Sequence, residues 1–158
     1  MRIVGLEILR ADGGGRNFDF LKLTTDEGLV GWSEFNEYFG GVGVGAAIEG
    51  LRGLVVGADP TRFRRLSLRL RAARRAASGG IADQADAAIE NATLDIAAKA
   101  LGVPVAALFG GAVRDDIEVY FSHCGLYRVR WHEEMQLPRL STIADLRAAG
   151  ADAAERGF

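Results

Sequence analysis

The stretch IADQADAAIENATLDIAAKALG, residues 81–102, constrains the fold more than any other part of the chain. Its helical register puts Ile81, Ala85, Ala88, Ile89, Ala92 and Ile96 on one face, and Leu94, Ala98 and Leu101 widen that stripe. A helix apolar over so much of its circumference predicts burial between two layers. Gly102 with Pro104 just beyond it predicts the stop, and PVAALFGG predicts a further turn of helix that begins at a proline.

Upstream, three short apolar runs supply a sheet for that helix to cover. Ile3, Leu6 and Ile8 lie in the first, Phe18, Phe20, Leu21 and Leu23 in the second, and LVGWSEF makes the third. DEG at 26–28, between β-rich flanks, predicts a tight hairpin, so the three runs predict an antiparallel meander. Such a sheet needs a helical layer on one face. GAAIEGLRGLVVG (45–57) places Ile48, Leu51 and Val55 at helical spacing, and Asp59-Pro60 opens a second helix with Phe63, Leu66, Leu70 and Ala73 in one stripe.

After Gly110 the pattern returns to strand. In DIEVYFSHCG, Ile117, Val119 and Phe121 alternate with Glu118, Tyr120 and Ser122, and a loop over 124–141 leads to a last helix. Thr142 and Asp145 form a pair of the capping-box kind at its start, and Arg156-Gly157 mark its end. A lone strand and helix leave their apolar faces open unless a further parallel strand joins. The chain is therefore expected to be the front part of something larger.

Charge and cysteine usage exclude several function classes. A net charge of −2 and a pI near 5.7 give no bulk attraction to nucleic acid or anionic membrane. Seven arginines crowd 62–75 (Arg62, Arg64, Arg65, Arg69, Arg71, Arg74, Arg75), and on a chain that is not basic overall they read as a solvated face. A single cysteine, Cys124, rules out an internal disulfide framework and fits a reducing compartment, and MRIVGLEILRADGGG is neither a signal peptide nor a membrane span, so a cytoplasmic location is expected. His123, Cys124, His132 and Glu133 lack the second close-spaced pair a zinc site needs. The glycine runs miss both dinucleotide and Walker spacings. Asp95 and Lys99 read as an i,i+4 helix pair.

AIENATLDIAAKALGVPVAALFGGAVRDDIEVY (88–120) resembles the mandelate racemase and muconate lactonizing group of the enolase superfamily, in which such a helix leads through L-x-G-G into the first barrel strand. TTDEGLVGWSEF (24–35) resembles the hairpin of the same group's N-terminal capping domain. Leu94, where an aromatic is common, and Ser33, where glycine is usual, depart from the pattern at packing positions.

The resemblance implies an α+β capping domain over 1–115, a three-stranded antiparallel meander plus a helical bundle. It is followed over 116–158 by the first βα unit of an incomplete (β/α)7β TIM-like barrel. It also implies proton abstraction α to a carboxylate with Mg²⁺ in the complete parent enzyme, on a small carboxylate or acid-sugar substrate, as a dehydratase or racemase-like relative. A homo-oligomer is expected, with no nucleic-acid or membrane partner. The metal ligands and base belong to later strands, so no catalytic or metal residue is assigned here, and the chain alone is expected to be inactive and to bind no cofactor. Its share is substrate contact: Arg16 and Asn17 on the loop 12–17, Tyr38 on the loop 37–43, and His123 and Tyr127 at the end of the first barrel strand. Arg16 is the strongest of these, because a guanidinium on a glycine-flanked loop can fork onto a carboxylate or polyol. The alternative is a stand-alone α+β interaction module that dimerises through its open edge.

Overall fold

The structure is a computed structural model that describes residues 1–13, 16–38, 41–74, 79–122 and 126–158. The described residues form two compact units, one of Met1–Asp12 with Arg16–Ala112, the other of Gly13 with Val113–Phe158. Among the described residues no helix is long and apolar enough to cross a membrane.

The first unit opens with the expected meander. Strands β1 (Ile3–Asp12), β2 (Asn17–Thr25) and β3 (Val30–Phe35) pair antiparallel in the order β1-β2-β3. The turn after β2 uses Gly28 at φ 82°, and Thr25 ties it shut through its backbone and its hydroxyl, both bonded to Leu29. A bulge between Ile3 and Gly5 explains why Ile3 and Leu6, three apart, face the same core: Val4 is the extra residue and points outward. From there the register stacks Leu6, Leu23 and Gly31, then Ile8, Leu21 and Ser33, on the inner face. Phe18 and Phe20 belong to the opposite face and are only half-buried.

The helical layer comprises α1 (Val44–Gly50), α2 (Arg52–Val55), a 3-10 turn at Pro60–Arg62, α3 (Phe63–Ala73) and α4 (Gly80–Leu101). The single helix expected over 45–57 is two pieces broken at Leu51, between Gly50 and Gly53, where low helix propensity lets the axis turn. Helix α4 is the central element, packing on β2 and β3 with one side and on α1 and α3 with others. Ala85, Ala88, Ile89, Ala92, Leu94, Ile96 and Ala98 are all buried, whereas Ile81 and Leu101 at its ends lie past their neighbours and are exposed. It ends in a Schellman motif: Gly102 at φ 67° donates to Lys99, and Val103 donates to Ala98 at 3.1 Å.

Two features bind α4 to the sheet. Gly31 has no room for a side chain, since a Cβ there would collide with the Ala92 carbonyl and lie 2.5 Å from Ile96 Cγ1. Asp95 Oδ2 accepts the outward N–H of Trp32 at 2.9 Å, and Lys99 Nζ donates to the outward carbonyl of Val30 at 2.8 Å and to Asp95 at 2.7 Å. The pair expected to act along the helix therefore also occupies the open edge of β3, covering hydrogen-bonding groups that would otherwise invite another strand.

The second unit departs from expectation in two places. The segment 116–122 has no ladder and is not a strand among the described residues; Ile117 and Tyr120 are more than four-fifths exposed. Its alternation is present, but a strand exists only through a ladder of partners for its N–H and carbonyl groups, and no such ladder runs along it among the described residues. The loop expected over 124–141 contains a short helix, α5 (Leu126–Arg130), followed by turns. Helix α6 (Ile143–Glu155) begins as predicted: Thr142 accepts from Asp145 N–H, and Asp145 accepts from the N–H groups of Ser141 and Thr142 in return. Gly157 at φ 87° ends it. A small core forms around Leu140 and Ala149, with Arg128 buried beside them and donating to the Pro138 carbonyl at 3.2 Å.

Candidate functional site

A meander places its connections by parity. β1 and β2 meet at one end of the sheet and β2 and β3 at the other, so the chain leaving β3 emerges where the β1–β2 connection lies. The described residues of the two loops read from the sequence as substrate-facing, 12–17 and 37–43, therefore flank one end of the sheet. The DEG turn and the start of β1 occupy the opposite end.

Charged side chains tie that end together. Arg10 Nε donates to the buried Asp19 at 2.6 Å across the β1–β2 pair, and Arg10 Nη2 lies 3.8 Å from Glu37. Glu37 in turn accepts the N–H of Gly45 at 2.5 Å, so one arginine connects the first two strands to the chain entering α1. A Cβ at Gly45 would come within 2.9 Å of Glu37 Oε1, so a side chain there would push that carboxylate aside. At Gly41 a Cβ would collide outright with the Asn36 backbone carbonyl, a closer approach than at Gly45.

Arg16 lies at this end beside Asn17, which opens β2 opposite Asp12. Its guanidinium carbon sits 4.2 Å above the Phe18 ring, and Nη2 is 3.4 Å from Glu34 on β3. The pair is exposed on both sides, so the tie is weak, worth about 0–1 kcal/mol. Tyr38 is half-exposed and its N–H donates to Asn36 Oδ1 at 2.7 Å, which shapes the exit from β3. Arg16, Asn17 and Tyr38 thus all belong to the same end of the first unit. Tyr127 belongs to the second unit, on α5, partly exposed and tilted against Trp131 with ring centroids 5.5 Å apart. His123 and Cys124 lie outside the described residues.

Sequence reasoning missed the ionic chain Asp19–Arg10–Glu37–Gly45. The available signal was Asp19, a carboxylate at an inward position of a strand, which requires a partner when buried. It also missed a pair between α3 and α4, where Arg74 Nη2 lies 2.5 Å from Asp83 and 2.6 Å from Asp86. Asp86 is 3% exposed, and burial, outweighing the nearby guanidinium, pushes its carboxyl above the usual range. Among the described residues no group of three or more His, Cys, Asp or Glu converges as a metal site.

The N-terminal domain of mandelate racemase / muconate lactonizing enzyme matches residues 12–110. A D-galactonate dehydratase of Xanthomonas axonopodis pv. citri is 46% identical over 134 residues, 84% of this chain and 33% of the relative. One from Pectobacterium atrosepticum is 44% identical over 101 residues, 64% of this chain and 26% of its own length. Among solved structures, a candidate L-alanine-DL-glutamate epimerase from Burkholderia xenovorans, bound to magnesium and fumarate, superposes with a TM-score of 0.92 at 42% identity, over 99% of this chain and 39% of that one. A candidate galactarate dehydratase from Agrobacterium radiobacter, bound to sodium and L-malate, gives 0.70 at 33% identity, over 76% of this chain and 30% of the other. The chain thus spans about a third of the length of the curated relatives it matches.

Proposed function

We propose a function from one premise, that the chain belongs to the mandelate racemase / muconate lactonizing enzyme family. On that premise it is the substrate-closing front of an enzyme that removes the proton α to a carboxylate, and the reaction it serves is dehydration of an acid sugar. The D-galactonate dehydratases among its relatives support this choice over racemisation. In such a reaction the C2 proton goes to a base and the C3 hydroxyl, taking a proton from a general acid, leaves as water. The resulting enol becomes a 2-keto-3-deoxy acid.

The observation that carries the reading is the convergence of both loops, with Arg16, Asn17 and Tyr38, at one end of the sheet. Arg16 is stacked on Phe18, which orients its plane, while its weak tie to Glu34 is one that an incoming carboxylate can displace. Asn17 and Tyr38 offer hydrogen-bonding groups to hydroxyls of a polyol, and His123 and Tyr127 do so from the 116–158 part, the beginning of the barrel domain that follows the capping domain over 1–115. Mg²⁺ in the complete enzyme is part of this reading, supported by the magnesium of the Burkholderia structure. Among the described residues no three acidic or imidazole groups converge to hold it. The chain by itself is expected to be inactive, and the complete enzyme to be a cytoplasmic homo-oligomer.

A chimera tests this. Residues 1–158 replace the matching N-terminal part of the Xanthomonas D-galactonate dehydratase, and formation of the keto acid from D-galactonate is followed. The chimera is expected to turn over, and Arg16→Ala within it to lower kcat/KM about tenfold or more through KM. A folded chimera whose kinetics ignore Arg16→Ala would retire Arg16 as a substrate contact.

A further inference from the structure

The end of the sheet opposite the candidate loops carries a second feature. Arg62, Arg65 and Arg69 recur at spacings of three and four, which aligns them along one flank of the 3-10 turn and α3. That flank faces the beginning of β1, and with Arg2 it lines an open, largely polar cleft of about 580 Å³. The acidic residues in the cleft are already engaged. Asp26 accepts the backbone N–H of Arg2 at 2.7 Å. Asp59 accepts from the N–H and hydroxyl of Thr61 at 3.0 and 2.7 Å and lies 3.6 Å from Arg62. Arg2 also donates to the Gly57 carbonyl at 3.2 Å.

Arg65 and Arg69 are left without a carboxylate among the described residues, although both line the cleft. Like charges one helical turn apart repel, and the fold does nothing to relieve them. The cleft thus sets four guanidinium groups against two carboxylates on a chain whose net charge is −2. The arginine run is also divided. By the 100° step of a helix, Arg64 and Arg71 fall on the other flank of the stripe made by Leu66 and Leu70, away from the cleft. A nucleic-acid surface would draw on both flanks; a concave site uses one.

We propose that this cleft binds a small oxyanion of two or more charges, a phosphorylated or multiply carboxylated metabolite, held in the forks of Arg65 and Arg69 with Arg2 and Arg62 at the rim. Its size is within the range of small-molecule sites, about 300–1,000 Å³. Guanidinium groups recognise phosphoryl and carboxylate oxygens by the same paired geometry, so both sources are tested. The site is distinct from the end of the sheet discussed above and does not depend on the proposed reaction.

The test is calorimetric titration of the purified chain with inorganic pyrophosphate and, separately, citrate, at an ionic strength of about 0.15 M. Saturable binding of at least one, with Kd below about 1 mM, is expected. R65A/R69A should weaken it about tenfold or more, and R64A/R71A, which removes the same charge, by less than about twofold. Preference for pyrophosphate identifies a phosphoryl ligand, and preference for citrate a carboxylate one. These side chains are solvent-facing, and circular dichroism verifies that each variant stays folded. No saturation below about 10 mM, or equal weakening by the two double variants, overturns the proposal in favour of a merely basic helix.

Discussion

Asp95→Ala removes the acceptor that holds the open edge of β3 to α4. The Trp32 N–H bond to a carboxylate is charge-assisted, of a kind worth about 1.5–3 kcal/mol. The Asp95 side chain is 25% exposed, which reduces that to about 1–2 kcal/mol. Lys99 is half-exposed and loses an i,i+4 partner worth about 0.3–0.5 kcal/mol. The freed Trp32 N–H then meets water at an edge, so no buried-donor penalty is added. The expected loss is about 1.5–2.5 kcal/mol, a shift of the urea midpoint of roughly 1 M for a unit of this size. Asp95→Asn keeps an oxygen acceptor and should lose about half as much. Urea unfolding followed by far-UV circular dichroism gives the midpoint, and amide exchange at Trp32 reports the bond directly. A midpoint within about 0.3 M of the parent, with Trp32 still protected, would show that the edge is held by packing alone.

Gly31→Ala drives a methyl into the Ala92 carbonyl and Ile96, obstacles that yield only if α4 lifts from the sheet, so a loss at the upper end of about 1–3 kcal/mol is expected in the same unfolding assay. Arg74→Ala leaves the buried Asp86 without its ion-pair partner and should cost about 3 kcal/mol at neutral pH, whereas Asp86→Asn should cost far less; equal losses would contradict the pairing. Backbone N–H donation from Ser141, then the Thr142 hydroxyl and N–H, hold the Asp145 carboxyl below its ordinary value of 3.8. Its stabilisation of α6 is therefore complete above that value and lost as pH falls through the lowered one, so amide exchange in the first turn of α6 should quicken in acid, and Asp145→Asn should abolish that step.

Local patterns carried most of the fold. The 3.6-residue period of α4, the Gly102 stop, the DEG turn and the Thr142 capping pair depend on residues within a few positions of one another, and each stands where the letters placed it. What escaped depends on distance along the chain. Asp95 and Trp32 are 63 residues apart and Lys99 and Val30 are 69, so the edge role of a pair that reads as an ordinary helix couple is invisible until the sheet exists. The break at Leu51 rested on two glycines whose weakness the apolar spacing of Ile48, Leu51 and Val55 concealed. Residues 116–122 show the converse, a strand-like alternation without the ladder that makes a strand. For the candidate site, the residue types were legible and Arg16's loop could be named, but its stacking on Phe18 and its reach to Glu34 come from the register of three strands.

The two tryptophans are divided between the units, Trp32 on the outer side of the β3 edge and Trp131 beside Tyr127 after α5. Replacing either one with phenylalanine leaves a single fluorophore in a known place. The melting of the sheet-bearing unit and that of the shorter C-terminal unit can then be watched independently in one cuvette, without attaching a dye.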